Sequence, residues 1–304
     1  MSEPHEQVVS EFVNAVSRHG FSYQYAVIRE AERLFRLAKS RFRPEVAEFP
    51  VEFKGARTKI DFVLLDSPPS HTALVSECKR ANPAMSHWCF ARAPFIRRDR
   101  TRERIYLDRL TRSNADTWDV RFGYSRVLER AYHVAFEVKT QTKGDPSGSR
   151  ADIEDAASQV CRATNGLLDF CTRRGGFFTT VTDIEFLPVI FTTARLWVSE
   201  DVLTAADLHS GIPSKTPDLT EVDWLVYQYH VSTGIKIDDA KVSISEDLAD
   251  LLETGFIRSI PIVSSSGIEN FLRWASELSA ESRAVKLQHL TEAIKQRRPF
   301  VREF

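Results

Sequence analysis

The stretch Gly55-Ala56-Arg57-Thr58-Lys59-Ile60-Asp61-Phe62-Val63-Leu64-Leu65 is followed, after a turn signal at Asp66-Ser67-Pro68-Pro69, by Ala73-Leu74-Val75-Ser76-Glu77-Cys78-Lys79. Apolar runs bounded by Gly and Pro predict strands over 59–65 and 72–79, with a third over 45–53 before the Gly55 turn. Side chains alternate faces along a strand, so Glu77 and Lys79 project to one side, about 7 Å apart at roughly 3.3 Å per residue. If residues 66–72 close a hairpin, paired residue numbers sum to 138 and Asp61 lies opposite Glu77. Directly paired side chains point the same way with Cβ atoms about 5 Å apart. A slip of one residue would break that alignment.

Two adjacent carboxylates on strands flanked by Val63, Leu65 and Val75 repel each other and resist burial. A divalent cation resolves the conflict. Hard oxygen donors suit Mg²⁺ or Mn²⁺, which bind one or two carboxylates together with water and substrate phosphate oxygens. A lysine beside such a cation orients or helps deprotonate an attacking water, while the cation offsets charge building on phosphorus oxygens.

Asp61, fifteen intervening residues and Glu77-x-Lys79, on apolar strands preceded by a glutamate-bearing helix, resemble the PD-(D/E)XK nuclease superfamily and its restriction-endonuclease-like fold. The resemblance covers about residues 20–80 and 130–200. It implies an α/β (α+β) core of helix, three strands, helix and strand, a mixed central sheet flanked by helices. It further implies Asp61 and Glu77 as ligands of Mg²⁺ or Mn²⁺, the Cys78 carbonyl as a further ligand, and Lys79 as the water-positioning residue. A glutamate of the first core helix often joins such sites; Glu30 is the choice here and Glu32 the alternative. A glutamine on the helix after the strands often faces the site, and Gln159 in Ser158-Gln159-Val160 fits that place. Pro188 to Ala194 then resembles the last core strand. The chain departs from the family pattern in having Ile60 where the leading proline stands, and in some 70 residues between Lys79 and the second core helix.

In the rest of the chain, helical spacing of apolar residues predicts helices over 6–18, 23–39, 151–172, 268–278 and 282–296, and strand patterns cover 133–140, 186–198, 224–232 and 256–263. This organisation predicts one domain over 1–304, an Arg-rich insertion at 84–130, and a C-terminal extension at 200–304 packed on the core. With 304 residues, 42% hydrophobic and 27% charged, the chain has globular composition, which excludes disordered and collagen-like classes. Four cysteines without a C-x-x-C pair argue against a zinc knuckle or redox dithiol, and Cys161 and Cys171 are expected in the core. Neither a signal peptide nor a membrane-length apolar run is evident, so a cytoplasmic protein with no membrane contact is expected.

A net charge of −1 supplies no global field toward a polyanion, so any grip on nucleic acid must be local. Residues 92–112 carry eight arginines against three acids. Arg92, Arg97, Arg98, Arg100, Arg102 and Arg104 are therefore candidates for phosphate contacts, with Trp88, Phe90, Phe95 and Tyr106 interleaved. The competing reading is a solvated helix laced with pairs such as Arg104 with Asp108. A rival motif, Asp119 with Glu137-Val138-Lys139, is read as a solvated or supporting strand face. The resulting expectation is a Mg²⁺-dependent nuclease acting on nucleic acid, DNA by resemblance, in a microbial defence or restriction setting, with a homodimer or a protein partner in a defence complex. Its alternative is a catalytically inactive binding or scaffolding subunit of the same fold. A two-carboxylate glycosidase gives Lys79 no role.

Overall fold

The structure, a computed structural model, describes residues 3–18, 20–66, 72–93, 103–112, 118–128, 131–138, 151–174, 183–203, 207–214, 216–231 and 257–280. Helices α1 (Glu3–Arg18) and α2 (Phe21–Arg36) precede strands β1 (Phe42–Phe53), β2 (Ala56–Asp66) and β3 (Thr72–Lys79). Strands β4 (His87–Ala91), β5 (Glu103–Arg112), β6 (Trp118–Leu128) and β7 (Val134–Val138) lead to α3 (Ala151–Arg174). Then come β8 (Asp183–Thr192), β9 (Arg195–Ser199), β10 (Thr220–Val222), β11 (Trp224–His230), β12 (Ile257–Ser264) and a helix α4 over 268–280.

The fold is mixed α/β. An eight-stranded sheet runs β1-β2-β3-β8-β12-β11, with β5 joined to β8 and β6 to β5. β1, β2 and β3 form an antiparallel meander, whereas β8 runs parallel to both β3 and β12. One face of the sheet is covered by α3, whose Ala163, Leu167 and Cys171 pack with Val63, Ala73 and Val75. The other is covered by α2 and α4, whose Leu34 and Phe271 pack with Leu64 and Leu74. Along β3, Ala73 and Val75 therefore face α3 while Leu74 faces α2, so Glu77 and Lys79 continue the row toward α3. The end of β2 is tied down by Asp66, which is buried and accepts from Arg41 Nε at 2.9 Å and from the Ser279 hydroxyl of α4.

β1 turns into β2 through Lys54 and Gly55, whose φ values are 49° and 79°. Two central residues with positive φ make the mirror-image turn whose twist suits a two-residue hairpin. Phe53 pairs with Ala56 across it.

The remaining strands β10-β9-β4-β7 form a second sheet. The single strand expected over 186–198 is two. Thr192 Oγ1 accepts from the Ala194 N–H and Thr193 Oγ1 from the Ala81 N–H, and this bend carries the chain from β8 into β9. His87, on this second sheet, accepts from Trp197 Nε1 at 2.8 Å, a structural contact.

Residues 103–112 form a strand, which corrects the ion-paired-helix reading over that part of the arginine-rich segment; residues 94–102 lie outside the described residues. Ile105 and Leu107 join the core on the α2 side of the sheet and Leu110 the core on the α3 side, so β5 is buried on both faces beside β8, and Asp108 pairs with Arg258 of β12 at 3.2 Å. Arg109 reaches Glu185 of β8 at 3.4 Å. Part of the expected insertion is thus sheet. Likewise β11 and β12, expected as an extension packed on the core, are strands of the main sheet. Ile257–Ser264 is buried along its whole length, as a strand covered on both faces requires. The helix expected over 282–296 lies outside the described residues. Cys161 and Cys171 are buried, as expected.

Candidate active site

The β2–β3 ladder pairs Phe62 with Ser76, Val63 with Val75, Leu64 with Leu74 and Leu65 with Ala73, the register whose residue numbers sum to 138. The next pair along it is Asp61 and Glu77. Beyond Phe62 the ladder gives way to a side-chain contact: Asp61 Oδ2 accepts from the Cys78 N–H at 2.7 Å. That bond consumes one carboxylate oxygen and fixes the side chain against β3. Lys79 Nζ stands 3.5 Å from Glu77 Oε1 and donates to Gln159 Oε1 of α3 at 2.8 Å. Asp61, Glu77, Lys79 and Gln159 therefore come together, at the carboxyl end of β3 where it runs beside β8.

Burial shapes the electrostatics. Desolvation pushes the Asp61 carboxyl up to about 6, with the Cys78 N–H and Lys79 opposing and Glu48 adding repulsion. Glu77 is pushed up to about 8, by burial first and by the Asp61 charge second, with Lys79 opposing. Each carboxylate is thus short of positive charge, and one lysine does not make up the deficit.

From α2, Gln24 reaches this region. Its Nε2 donates to Glu48 Oε1 at 2.6 Å and to the Asp61 carbonyl at 2.9 Å. Glu30 does not join: its carboxylate accepts from Arg33 Nε and Nη2 at 2.8 and 2.7 Å. Glu32 pairs with Arg36. The helix phase explains this correction, because Gln24, Val27, Ala31 and Leu34 form the buried stripe and the glutamates fall beside it.

Glu48 is the acidic neighbour that the strand spacing did not single out. Its backbone sits at φ 54°, between the pairs Ala47–Phe62 and Phe49–Ile60, which places it across β1 from Asp61. Lys59 Nζ holds its other oxygen at 3.5 Å. The signal was the Gly55 turn: extending its pairing down the hairpin brings residue 48 opposite residue 61.

The rival motif does not assemble. Asp119 lies on β6, paired with β5 in the main sheet, whereas Glu137 lies on β7, paired with β4 in the second sheet. Glu137 is buried, not solvated, and its Oε1 accepts from the Asp152 and Ile153 N–H groups at 2.8 and 3.4 Å, an anion at the N-terminus of α3. Lys139 is outside the described residues. So are Arg97, Arg98, Arg100 and Arg102. Arg92 pairs with Glu200 at 3.2 Å, and Arg104 lies on β5.

No family model, curated protein or solved structure matches this chain. Among the described residues no three His, Cys, Asp or Glu side chains form a ready-made metal cluster. The donor set present is two largely buried carboxylates with a single lysine beside them, which fits a hard cation that completes its shell with water and substrate oxygens. No helix among the described residues is long and apolar enough to cross a membrane.

Proposed function

We propose that the chain is a metal-dependent nuclease of the PD-(D/E)XK kind, hydrolysing phosphodiester bonds. DNA is the substrate class that the resemblance favours, and microbial defence or restriction the setting. The observation that carries this reading is the meeting of Asp61 and Glu77 at the end of the β2–β3 ladder, with Lys79 held beside them by Gln159. The element order supports it once β4–β7, which stand between β3 and α3, are set aside as inserted: α2, then β1, β2 and β3, then α3, then β8 parallel to β3, matches the helix, three strands, helix and strand of that superfamily.

Asp61 and Glu77 would hold Mg²⁺ or Mn²⁺, Asp61 through Oδ1, since Oδ2 is engaged by Cys78. When bound, the cation supplies Lewis-acid stabilisation of charge on the phosphoryl oxygens and lowers the pKa of a water. The chain's own residues do the rest. An ammonium has three N–H donors. One of those on Lys79 goes to Gln159 and one points toward Glu77, which leaves the third for the attacking water or a phosphoryl oxygen. Gln159 is a positioning residue, fixing the lysine so that little reorganisation is needed as charge develops. Gln24 holds the Asp61 backbone and Glu48 together and so sets the mouth of the site.

Calorimetry with Mn²⁺ tests the assignment of roles. Glu77→Ala removes a ligand and should abolish binding. Lys79→Ala removes a nearby positive charge and should bind Mn²⁺ as tightly as wild type or more so, while losing cleavage. Equal loss of Mn²⁺ binding in both variants would contradict these roles.

A further inference from the structure

Helix α1 is amphipathic, yet its apolar side is open to solvent. Val8 and Phe12 are each 68% exposed, Val13 56% and Val9 48%, and Tyr25 on the adjoining α2 is 48% exposed. We infer that this face docks a second copy of the chain, with α1 packing antiparallel on α1 of the partner about a two-fold axis. The inference does not rest on the catalytic reading.

Self-complementarity is the first argument. A two-fold interface must match a patch to itself. The stripe is symmetric about the midpoint between Ser10 and Glu11: in an antiparallel pairing Val8 meets Val13 and Val9 meets Phe12. Positions i, i+1, i+4 and i+5 form the continuous seam that two packed helices share.

Area is the second. A valine and an aromatic side chain expose on the order of 150 and 200 Å² when fully free, so the four α1 residues leave about 400 Å² of apolar surface per chain. Two copies would bury about 800 Å². Homodimer interfaces are about 65% apolar, so the whole contact would be about 1,200 Å², the lower end of the range for a stable, specific interface. A lipid surface fits less well. Interfacial helices are rich in Lys and Arg on the polar side, whereas α1 carries Glu3, Glu6 and Glu11 against Arg18 alone and no lysine.

Sedimentation equilibrium of the full chain across about 1–100 μM reads the outcome. The wild type should be a dimer. Val9→Glu with Phe12→Glu should raise the dissociation constant at least 100-fold while the circular dichroism at room temperature stays that of the folded protomer, because both side chains are exposed in it. Leu208→Glu, at a residue 92% exposed elsewhere, should leave the dimer intact. Val9→Cys with Phe12→Cys should form disulfide-linked dimers under oxidised glutathione, and Val9→Cys with Gln7→Cys should not. A monomeric wild type at 100 μM overturns the proposal. So does a dimer that survives the double glutamate change, or a monomer that instead binds phosphatidylglycerol vesicles through this face.

Discussion

Lys79 is held by one neutral partner and one acidic one, Gln159 at 2.8 Å and Glu77 at 3.5 Å, and this asymmetry makes separable predictions for single residues. Gln159→Ala frees the ammonium to turn, so kcat should fall about 10–100-fold while Mn²⁺ affinity stays within about twofold, a split that a merely structural role would not give. The two carboxyls make a second prediction. With Asp61 raised to about 6 and Glu77 to about 8, the metal-free pair carries about one proton at pH 7, and a bound cation must displace it. The binding enthalpy of Mn²⁺ at pH 7 should therefore vary with the ionisation enthalpy of the buffer, with about one proton released per ion. A buffer-independent enthalpy in wild type would show that the pair is already ionised.

At the scale of elements, Glu137 and Glu77 are both buried strand glutamates followed two residues later by lysine, and the structure gives them different work. Glu137 caps α3, so Glu137→Ala should lower stability by about 1–2 kcal/mol, read as a shift in the urea midpoint, and leave cleavage intact at a temperature where the variant is folded. Loss of activity in a folded Glu137→Ala protein would reinstate the rival motif. What the sequence made legible follows from the range of the signals. The register of the β2–β3 hairpin was readable because apolar alternation and a short connection determine it, and Asp61, Glu77 and Lys79 came with it. Gln159 was readable only through the resemblance. Glu30 was misplaced because the phase of α2 depends on which stripe the sheet buries, and Gln24 at a buried position breaks the apolar pattern. β5 was read as a candidate helix because Ile105, Leu107 and Leu110, buried on two different faces, give no regular alternation, and because its ion partners, Arg258 and Glu185, are distant in sequence.

For the whole molecule, the buried acids make stability depend on pH in a defined direction. A carboxyl whose folded pKa is raised holds its proton in the folded state after the unfolded chain has lost it, so the folded state binds more protons in between. The contribution of Asp61 and Glu77 is fully present below about pH 4 and is lost as pH rises through about 6 and then about 8. Metal-free protein should lose Tm across this window, Glu77→Gln should flatten the loss, and millimolar Mg²⁺ should restore Tm most strongly at the alkaline end. An Mg²⁺ effect equal at pH 5 and pH 8 would separate the cation from these carboxyls.

The most direct test of the catalytic account is cleavage itself. Purified protein is incubated with supercoiled plasmid, single-stranded DNA and RNA in Mg²⁺, Mn²⁺ or EDTA, beside Glu77→Ala at equal concentration. The account expects at least one of these substrates to be cut by wild type with Mg²⁺ or Mn²⁺, no cutting in EDTA, and a loss of at least 1,000-fold in Glu77→Ala. Cutting that persists in EDTA, or that Glu77→Ala retains, would contradict it.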